Sequence, residues 1–315
     1  MRDAPVLTTP ATRRLSGHVV LAAFIAACSS SPTAPAPGAG KLFYVSNFNN
    51  NTVTAYTVGA TGNAAPAATI AGSSSGLNGP TGIVRDNAGR LYVGNYYSIG
   101  GNPQSIMVYA TSATGNATPV DTITGLNLPQ GMAIAAGRLY VPNQMGSTIS
   151  IFTVGPTGAV AFTGTISGSN TGLAVPLDVA VDAGGRLYVA NVNNNTVTEY
   201  AAGATGNVAP TATIAGSATG LNVPTGIALD AAARIYVTNG GNNSITVYAA
   251  GASGNVTPRA PLPAATRDWA RRLASLSTPR AHSTSSTVVA VSPCTLRARR
   301  QTPPPSPRSR GATLD

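Results

Sequence analysis

Between residues 41 and 258 the hydrophobic positions come in short runs. In these, Val, Ile, Thr and Tyr alternate with small or polar residues, and Gly, Asn and Pro interrupt them. Alternation with a period of two, bounded by turn-forming residues, predicts short β-strands. In the clearest copy these are Pro224-Thr-Gly-Ile-Ala-Leu-Asp230, Arg234-Ile-Tyr-Val-Thr-Asn239 and Ser244-Ile-Thr-Val-Tyr248. A fourth, Pro210-Thr-Ala-Thr-Ile-Ala215, comes from the preceding unit. The pattern repeats: Tyr44, Tyr92, Tyr140, Tyr188 and Tyr236 recur every 48 residues, and so do Asn47, Asn95, Asn143, Asn191 and Asn239. A four-stranded unit of this size cannot bury both faces of its sheet without neighbours. The expected fold is therefore all-β, a β-propeller of four-stranded blades with about five blades in frame. The Gly density and the period of two exclude a helical solenoid or a coiled coil.

The recurring signature is Pro-x-Gly-Ile-Ala-x-Asp, then Gly-Arg-Leu-Tyr-Val-x-Asn, then Val-Thr-x-Tyr. Over 41–258 it resembles NHL-type repeats and, more loosely, the YVTN and SMP-30/lactonase-like propellers. The resemblance implies that the Gly-Ile-Ala strand is innermost, lining a central channel. On that frame the first copy starts on its second strand, at Lys41-Leu-Phe-Tyr-Val. It is expected to be completed by a strand from the C-terminus, which removes a sheet edge.

Charge changes the picture at the two ends. The chain of 315 residues has 19 Lys and Arg against 9 Asp and Glu, net +10, a balance that suggests nucleic acid. By segment, Arg2, Arg13 and Arg14 against Asp3 give +2 over 1–40. Over 41–258, Lys41 and five Arg balance Asp86, Asp121, Asp178, Asp182, Glu199 and Asp230. Over 259–315, ten Arg face Asp268 and Asp315, net +8. The expected folded part is neutral, and no nucleic-acid partner is expected.

Arg13 and Arg14 precede an apolar run, Gly17 to Ala27, too short to span a bilayer, which reads as an export signal over 1–27. Ile25-Ala26-Ala27-Cys28 resembles the bacterial lipobox, which implies lipidation of Cys28, and 28–40 reads as a Pro/Ala/Ser tether. Ser29 after the Cys resembles outer-membrane sorting. The expected address is an outer-membrane or cell-surface lipoprotein, exported across the inner membrane.

At the other end the repeat stops at Pro258, midway through a fourth strand, and an Arg/Pro-rich tail follows over 259–315. Reading each codon from the third base of the preceding one permits T-x-TIAGSNTGLGTPTGIALDAAG over 258–281, close to TATIAGSATGLNVPTGIALDAA at 211–232. Within it, Asp268-Trp269 forces Leu and Trp269-Ala270 forces Gly. The same shift over 301–314 permits NAAAVATIAGSNT, matching GNAAPAATIAGS at 62–73. A basic tail has no reason to contain both, so 259–315 reads as an out-of-frame, disordered product, and six blades are expected in the intact protein.

For chemistry, Asp86, Asp182 and Asp230 end the inner strands before Arg90, Arg186 and Arg234. They read either as caps of those turns or, by resemblance to calcium-dependent propeller lactonases, as a cation-binding carboxylate ring. Ala135 breaks that ring, and no cofactor is required, with calcium the one candidate. The recurrent Asn and the Asn49–Asn51 and Asn193–Asn195 runs read as shaping turns between second and third strands. Departures from the repeat are better candidates for ligand or partner contact. Arg85 stands where other copies have Ile134, Val181 and Leu229, a charge where inner-strand packing is expected. Asp178 replaces Gly82, Gly131 and Gly226. Tyr96 and Tyr97 open a loop five residues longer than its counterparts, able to present aromatic area to a sugar, peptide or partner. No catalytic residue is assigned: the only His are His18 and His282, at the two ends, so Ser-His or Cys-His catalysis lacks its base.

The expected function is a lipid-anchored extracytoplasmic module that binds a protein, peptide or glycan. The alternative is a metal-dependent lactonase- or lyase-like enzyme using channel carboxylates. Nucleotide sequencing of the locus tests the tail: a second open frame continuing the repeat past codon 258 is expected, and its absence refutes the frame reading.

Overall fold

The computed structural model describes residues 42–97, 104–259 and the short strand Thr287–Val289. It is a β-propeller of five small antiparallel blades, incomplete as a ring. Blade one contains β1 (Leu42–Asn47), β2 (Thr52–Thr57) and β3 (Ala68–Ile70). Blade two contains β4 (Pro80–Arg85), β5 (Leu91–Asn95), β6 (Ile106–Tyr109) and β7 (Asp121–Ile123). Blade three contains β8 (Ala133–Ala135), β9 (Arg138–Asn143), β10 (Thr148–Val154) and β11 (Val160–Ile166). Blade four contains β12 (Pro176–Val181), β13 (Leu187–Asn191), β14 (Thr196–Tyr200) and β15 (Ala212–Ile214). Blade five has three strands among the described residues, β16 (Pro224–Leu229), β17 (Ile235–Asn239) and β18 (Ser244–Tyr248). The first strands β4, β8, β12 and β16 are innermost and pack on one another around the axis.

The strand β19, Thr287–Val289, pairs antiparallel with β1 (Val45 with Val289, Asn47 with Thr287). It takes the inner-strand place that blade one lacks. It comes from the segment read above as out of frame; apart from Arg259 the rest of that segment, and residues 1–41 with Cys28, lie outside the described residues.

Alternation puts apolar side chains on both faces of each blade, so the core lies between blades rather than within them. Leu91 and Val93 join Tyr44, Val53 and Ile70 of blade one, whereas Tyr92, between them in sequence, joins Leu139 and Val141 of blade three. Tyr188 and Ile227 sit in the corresponding cluster between blades four and five.

The polar repeats fasten the same joints. In the Thr/Ser-Gly-Asn loop after the third strand, Gly115, Gly206 and Gly254 form parallel bridges to Ile70, Ile166 and Ile214 on the outer strand of the preceding blade. Each following Asn side chain then accepts a backbone N–H there: Asn116 from Ser74 at 2.7 Å, Asn207 from Asn170 and Asn255 from Ala218 at 2.8 Å. The Asn packs over a glycine of positive φ, Gly72, Gly168 and Gly216 (108°, 118° and 119°), where a Cβ would strike its side chain. Blade three has no such loop. Its joint to blade two uses Arg90, which donates to the carbonyls of Pro156 (2.8 Å) and Gly155 (3.0 Å).

This joint sets an expected order of effects. Asn207→Ala removes one acceptor and should cost about 1 kcal/mol. Gly168→Ala forces a side chain into a left-handed backbone under Asn207 and should cost about 2 kcal/mol or more. Urea denaturation of the two variants checks the ranking; equal losses would mean that the glycine is not required by the joint.

Candidate functional site

Pro80 pairs with Asn95 and Arg85 with Leu91. Each inner strand therefore starts at the end of the blade where the second strand turns into the third, termed the upper end. It finishes at the lower end, in the turn to the second strand. This separates the candidates.

At the lower end the repeated acids act as turn caps. Asp86 Oδ1 accepts the Arg90 N–H at 2.9 Å and Oδ2 meets Arg90 Nε at 2.6 Å. Asp182 holds Arg186 in the same way, and Asp230 holds Arg234. The hydroxyls of Tyr92 and Tyr236 donate to Asp86 and Asp230. In Asp230 the burial that raises the carboxyl is outweighed by hydrogen bonds from Arg234, Tyr236 and Ala232, which hold it below its ordinary range. Among the described residues no group of three or more His, Cys, Asp or Glu side chains is placed to hold a metal ion. Of the two readings of the repeated acids, this geometry is that of turn closure, since both oxygens of each are bonded within its own turn. The pairs differ in weight. The Arg186 and Arg234 side chains are 42% and 45% exposed and worth little, whereas Arg90, at 11%, also bonds across to blade three.

Arg85 is exposed at this lower end, and its Nε donates to the Gly89 carbonyl at 3.0 Å. The expected conflict between a charge and inner-strand packing does not arise, because the strand ends there and the side chain lies back along its own turn.

Asp178 is at the upper end, in the innermost layer, 1% exposed. Its Oδ1 accepts the N–H of Val179 at 2.9 Å, and its Oδ2 accepts the N–H of Ile227 on β16 at 3.0 Å. It fills the space left by Gly131, just ahead of β8, since a Cβ there would collide with the carboxyl group. Asp178 thus ties β12 to β16 through a backbone amide of each. Burial pushes its carboxyl well above the usual range, partly offset by the two amides.

Tyr96 and Tyr97 lie at the upper end of blade two, and the structure adds a partner that the sequence reading missed. Phe48 of blade one packs at 5.5 Å from the Tyr96 ring and 5.2 Å from Tyr97, and the two tyrosines meet edge to face at 5.1 Å. Tyr97 remains 50% exposed. The backbone beneath is fixed, with Tyr96 N–H on the Gly79 carbonyl and Gly79 N–H on Asn51 Oδ1. Gly79 has φ +60°, and a Cβ on it would lie 2.7 Å from Tyr97. At the same place before the inner-strand Pro the other blades carry Leu128, Val175 and Val223, in the same backbone region. Only glycine leaves room for the aromatic trio. The signal was present in the repeat, because Phe48 and Gly79 both depart from it: the positions matching Phe48 in blades three to five are Gln144, Val192 and Gly240. Residues 98–103 of the Tyr loop lie outside the described residues.

The recurrent Asn proves to be a buried strut. Asn95, Asn191 and Asn239 are fully buried. Each accepts a backbone N–H from the segment leading into its own blade (Asn78, Ala174, Asn222). Asn143, Asn191 and Asn239 also donate to hydroxyls on the third strand. Asn51, Asn195 and Asn243 do take left-handed backbone at the turn, as expected of that run.

A family model described as "Lactonase, 7-bladed beta-propeller" matches residues 90–224. No curated protein matches the chain. Among solved structures, a putative 6-phosphogluconolactonase from Bacteroides fragilis is similar, at 14% identity, with 74% of this chain and 71% of that one covered and a TM-score of 0.53. One from Bacteroides uniformis shows 14% identity, 72% and 70% coverage and a TM-score of 0.52. A functionally unknown protein from Desulfotomaculum acetoxidans shows 14% identity, a TM-score of 0.50 and 66% coverage of this chain; the match spans 65% of its own length. At these identities the likeness is one of fold.

Asp178 gives a signed pH test. A carboxyl whose pKa is higher folded than unfolded keeps a proton that the unfolded chain releases, so stability falls as pH rises above the ordinary value of 3.8. Asp178→Asn should remove that slope while losing one of the two amide bonds, at a cost of about 1–3 kcal/mol that is largest at low pH. Thermal melts across pH read both; a slope unchanged by the substitution would assign it elsewhere.

Proposed function

We propose that this chain is part of a lactonase-type propeller that takes a sugar lactone, or a related carbohydrate ring, on the aromatic surface of Phe48, Tyr96 and Tyr97. The observation that carries the reading is that surface: three rings gathered across a blade joint, made possible by Gly79, at the upper end of the propeller. Aromatic faces supply rigid apolar area for the C–H face of a sugar. The substrate class is supported by the family match over 90–224 and by the two Bacteroides structures.

Opening a lactone adds water across the acyl–oxygen bond and needs a base for the attacking water. The acids of the described blades are engaged: Asp86, Asp182 and Asp230 with arginines, Glu199 with Arg186 at 3.1 Å, Asp178 with two amides and Asp121 with the Thr122 N–H. We therefore assign the base to residues outside these five blades. That same engagement favours a second reading, a binding or scaffold module for a protein, peptide or glycan with no chemistry of its own. On either reading we assign the membrane anchor to Cys28, place the propeller at the outer membrane or cell surface, and take the intact ring to have more than five blades of NHL- or SMP-30-like type.

The test uses gluconolactone and its open-chain acid as probes, followed by ligand-observed NMR, with hydrolysis read by pH-stat. Saturable binding is expected, and Tyr97→Ala should weaken it roughly tenfold. Gly79→Val should do the same without unfolding the blade, because Val175 and Val223 already adopt that backbone. Binding without hydrolysis above the spontaneous rate supports the module; no binding of either probe refutes the sugar-ring reading.

A further inference from the structure

Two further departures from the repeat meet at the upper end of blade three. Gln130 stands between the inner-strand Pro and Gly, where blades two, four and five carry Thr81, Leu177 and Thr225. Gln144 follows the buried Asn143 as Phe48, Tyr96, Val192 and Gly240 follow their own asparagines. The two side chains touch, with Gln130 Nε2 donating to Gln144 Oε1 at 3.3 Å. Backbone fixes both: the Gln144 N–H bonds the Leu128 carbonyl, and the Gly131 N–H bonds the Leu177 carbonyl of blade four.

The capacity of this pair is only partly used. A side-chain amide has two N–H donors and a carbonyl oxygen that accepts twice, and a buried one ordinarily uses them. Gln130 is 6% exposed. Yet among the described residues its Oε1 has no partner, and neither has Nε2 of the half-buried Gln144. At the matching place Thr81 gives its hydroxyl to the carbonyls of Gly94 and Pro129, and Thr225 bonds Thr238. Leu177 has no polar group to place. Of these four blades, blade three alone keeps a donor and an acceptor in reserve.

The pair continues the aromatic surface. Phe48, Tyr96 and Gln144 are successive copies of one position, so they run in order along the upper rim of blades one, two and three. The first two meet across their joint at 5.5 Å, and Gln144 is the next step. Tyr97 and Met145 are likewise successive copies, and they are 50% and 70% exposed. Charge then decides what this rim can hold. Every arginine among the described residues lies at the lower end, and the one acid at the upper end, Asp178, is buried on backbone amides. A phosphate there would meet no cation. A hydroxyl both donates and accepts, which matches the unused groups of an amide pair.

We propose that Gln144, oriented by Gln130, is the polar contact of the sugar site, holding hydroxyls of a neutral, unphosphorylated ring whose apolar face rests on Tyr97. This rests on the sugar-ring reading of the aromatic surface and names the class of ring it takes. Gln144 touches the ligand; Gln130 is a positioning residue that acts through it.

The repeat supplies substitutions that the fold already accepts, Gln144→Val from Val192 and Gln130→Leu from Leu177. Ligand-observed NMR with gluconolactone on the full chain reads both, beside thermal melts. Gln144→Val should weaken binding roughly fivefold with an unchanged melt. Gln144→Met, of similar length, repeats the measurement if the Val variant melts early. Gln130→Leu should weaken binding in the native background and have no further effect beside Gln144→Val, because it acts only through that amide. With glucose and glucose 6-phosphate as competitors, the phosphate should bring no gain. Binding lost in Tyr97→Ala but intact in both Gln144 variants would overturn the proposal and leave the sugar-ring reading standing. Tighter binding of glucose 6-phosphate would overturn the choice of a neutral ring. An equal loss from Gln130→Leu in both backgrounds would overturn the positioning role. No binding of gluconolactone to the native chain would remove the sugar-ring reading itself, and this proposal with it.

Discussion

A four-stranded blade of this size has two apolar faces and, among the described residues, no α-helix to cover either, so each blade is stable only as a neighbour of another. The buried clusters are all shared between adjacent blades, and Leu91 and Tyr92, consecutive in sequence, serve different joints. The polar repeats answer the same constraint. The Thr-Gly-Asn loops, the left-handed asparagines and the innermost glycines each let backbone approach backbone across a joint, where a larger side chain would hold the blades apart. Stability in such an array is a sum of blade and joint terms. Phe43, half-buried and stacked on Tyr56, lies on blade one, away from the joint to blade two.

The constraint also explains where function can reside. A side chain that recurs in every blade is committed to a joint or a turn, and the acids illustrate this. Asp86, Asp182 and Asp230 close turns on their arginines, so repetition removes them from chemistry. Asp178 shows that departure from the repeat is not sufficient either, since both oxygens of its buried carboxyl group accept backbone amides, those of Val179 and Ile227. The aromatic trio differs from both. Its rings are held by backbone from below, and one face of Tyr97 stays in solvent.

The fold was legible because its signals are local and multiplied. The expected strands at Arg234–Asn239 and Ser244–Tyr248 correspond to β17 and β18 with one residue of difference, since the 48-residue period repeats the same alternation in every copy. The candidate site was legible only by half. Tyr96 and Tyr97 stand out as neighbours in sequence, whereas Phe48 is far from them in the chain and becomes their partner through a joint. Gly79 carries no chemistry of its own and matters only for the volume it leaves empty. Arg85 was misjudged for a related reason: alternation alone does not say where a strand ends, and its side chain lies one step past the packed layer.

Between the lactonase-type and binding-module readings, the charge arithmetic of the blades is the deciding physical quantity. The six acids of the repeat region balance its six bases, and each of the acids has a partner within hydrogen-bonding distance. Freeing Asp86, Asp178, Asp182 or Asp230 for proton transfer would break a turn or a joint, so an active centre built from them would compete with folding. A catalytic group in this architecture has to be an addition to the repeat rather than a loan from it, as the Tyr loop is. The described blades carry such additions at the upper end, where the inner strands begin and the aromatic trio sits. A base contributed by further blades would act on a ligand held there only from the same end of the propeller.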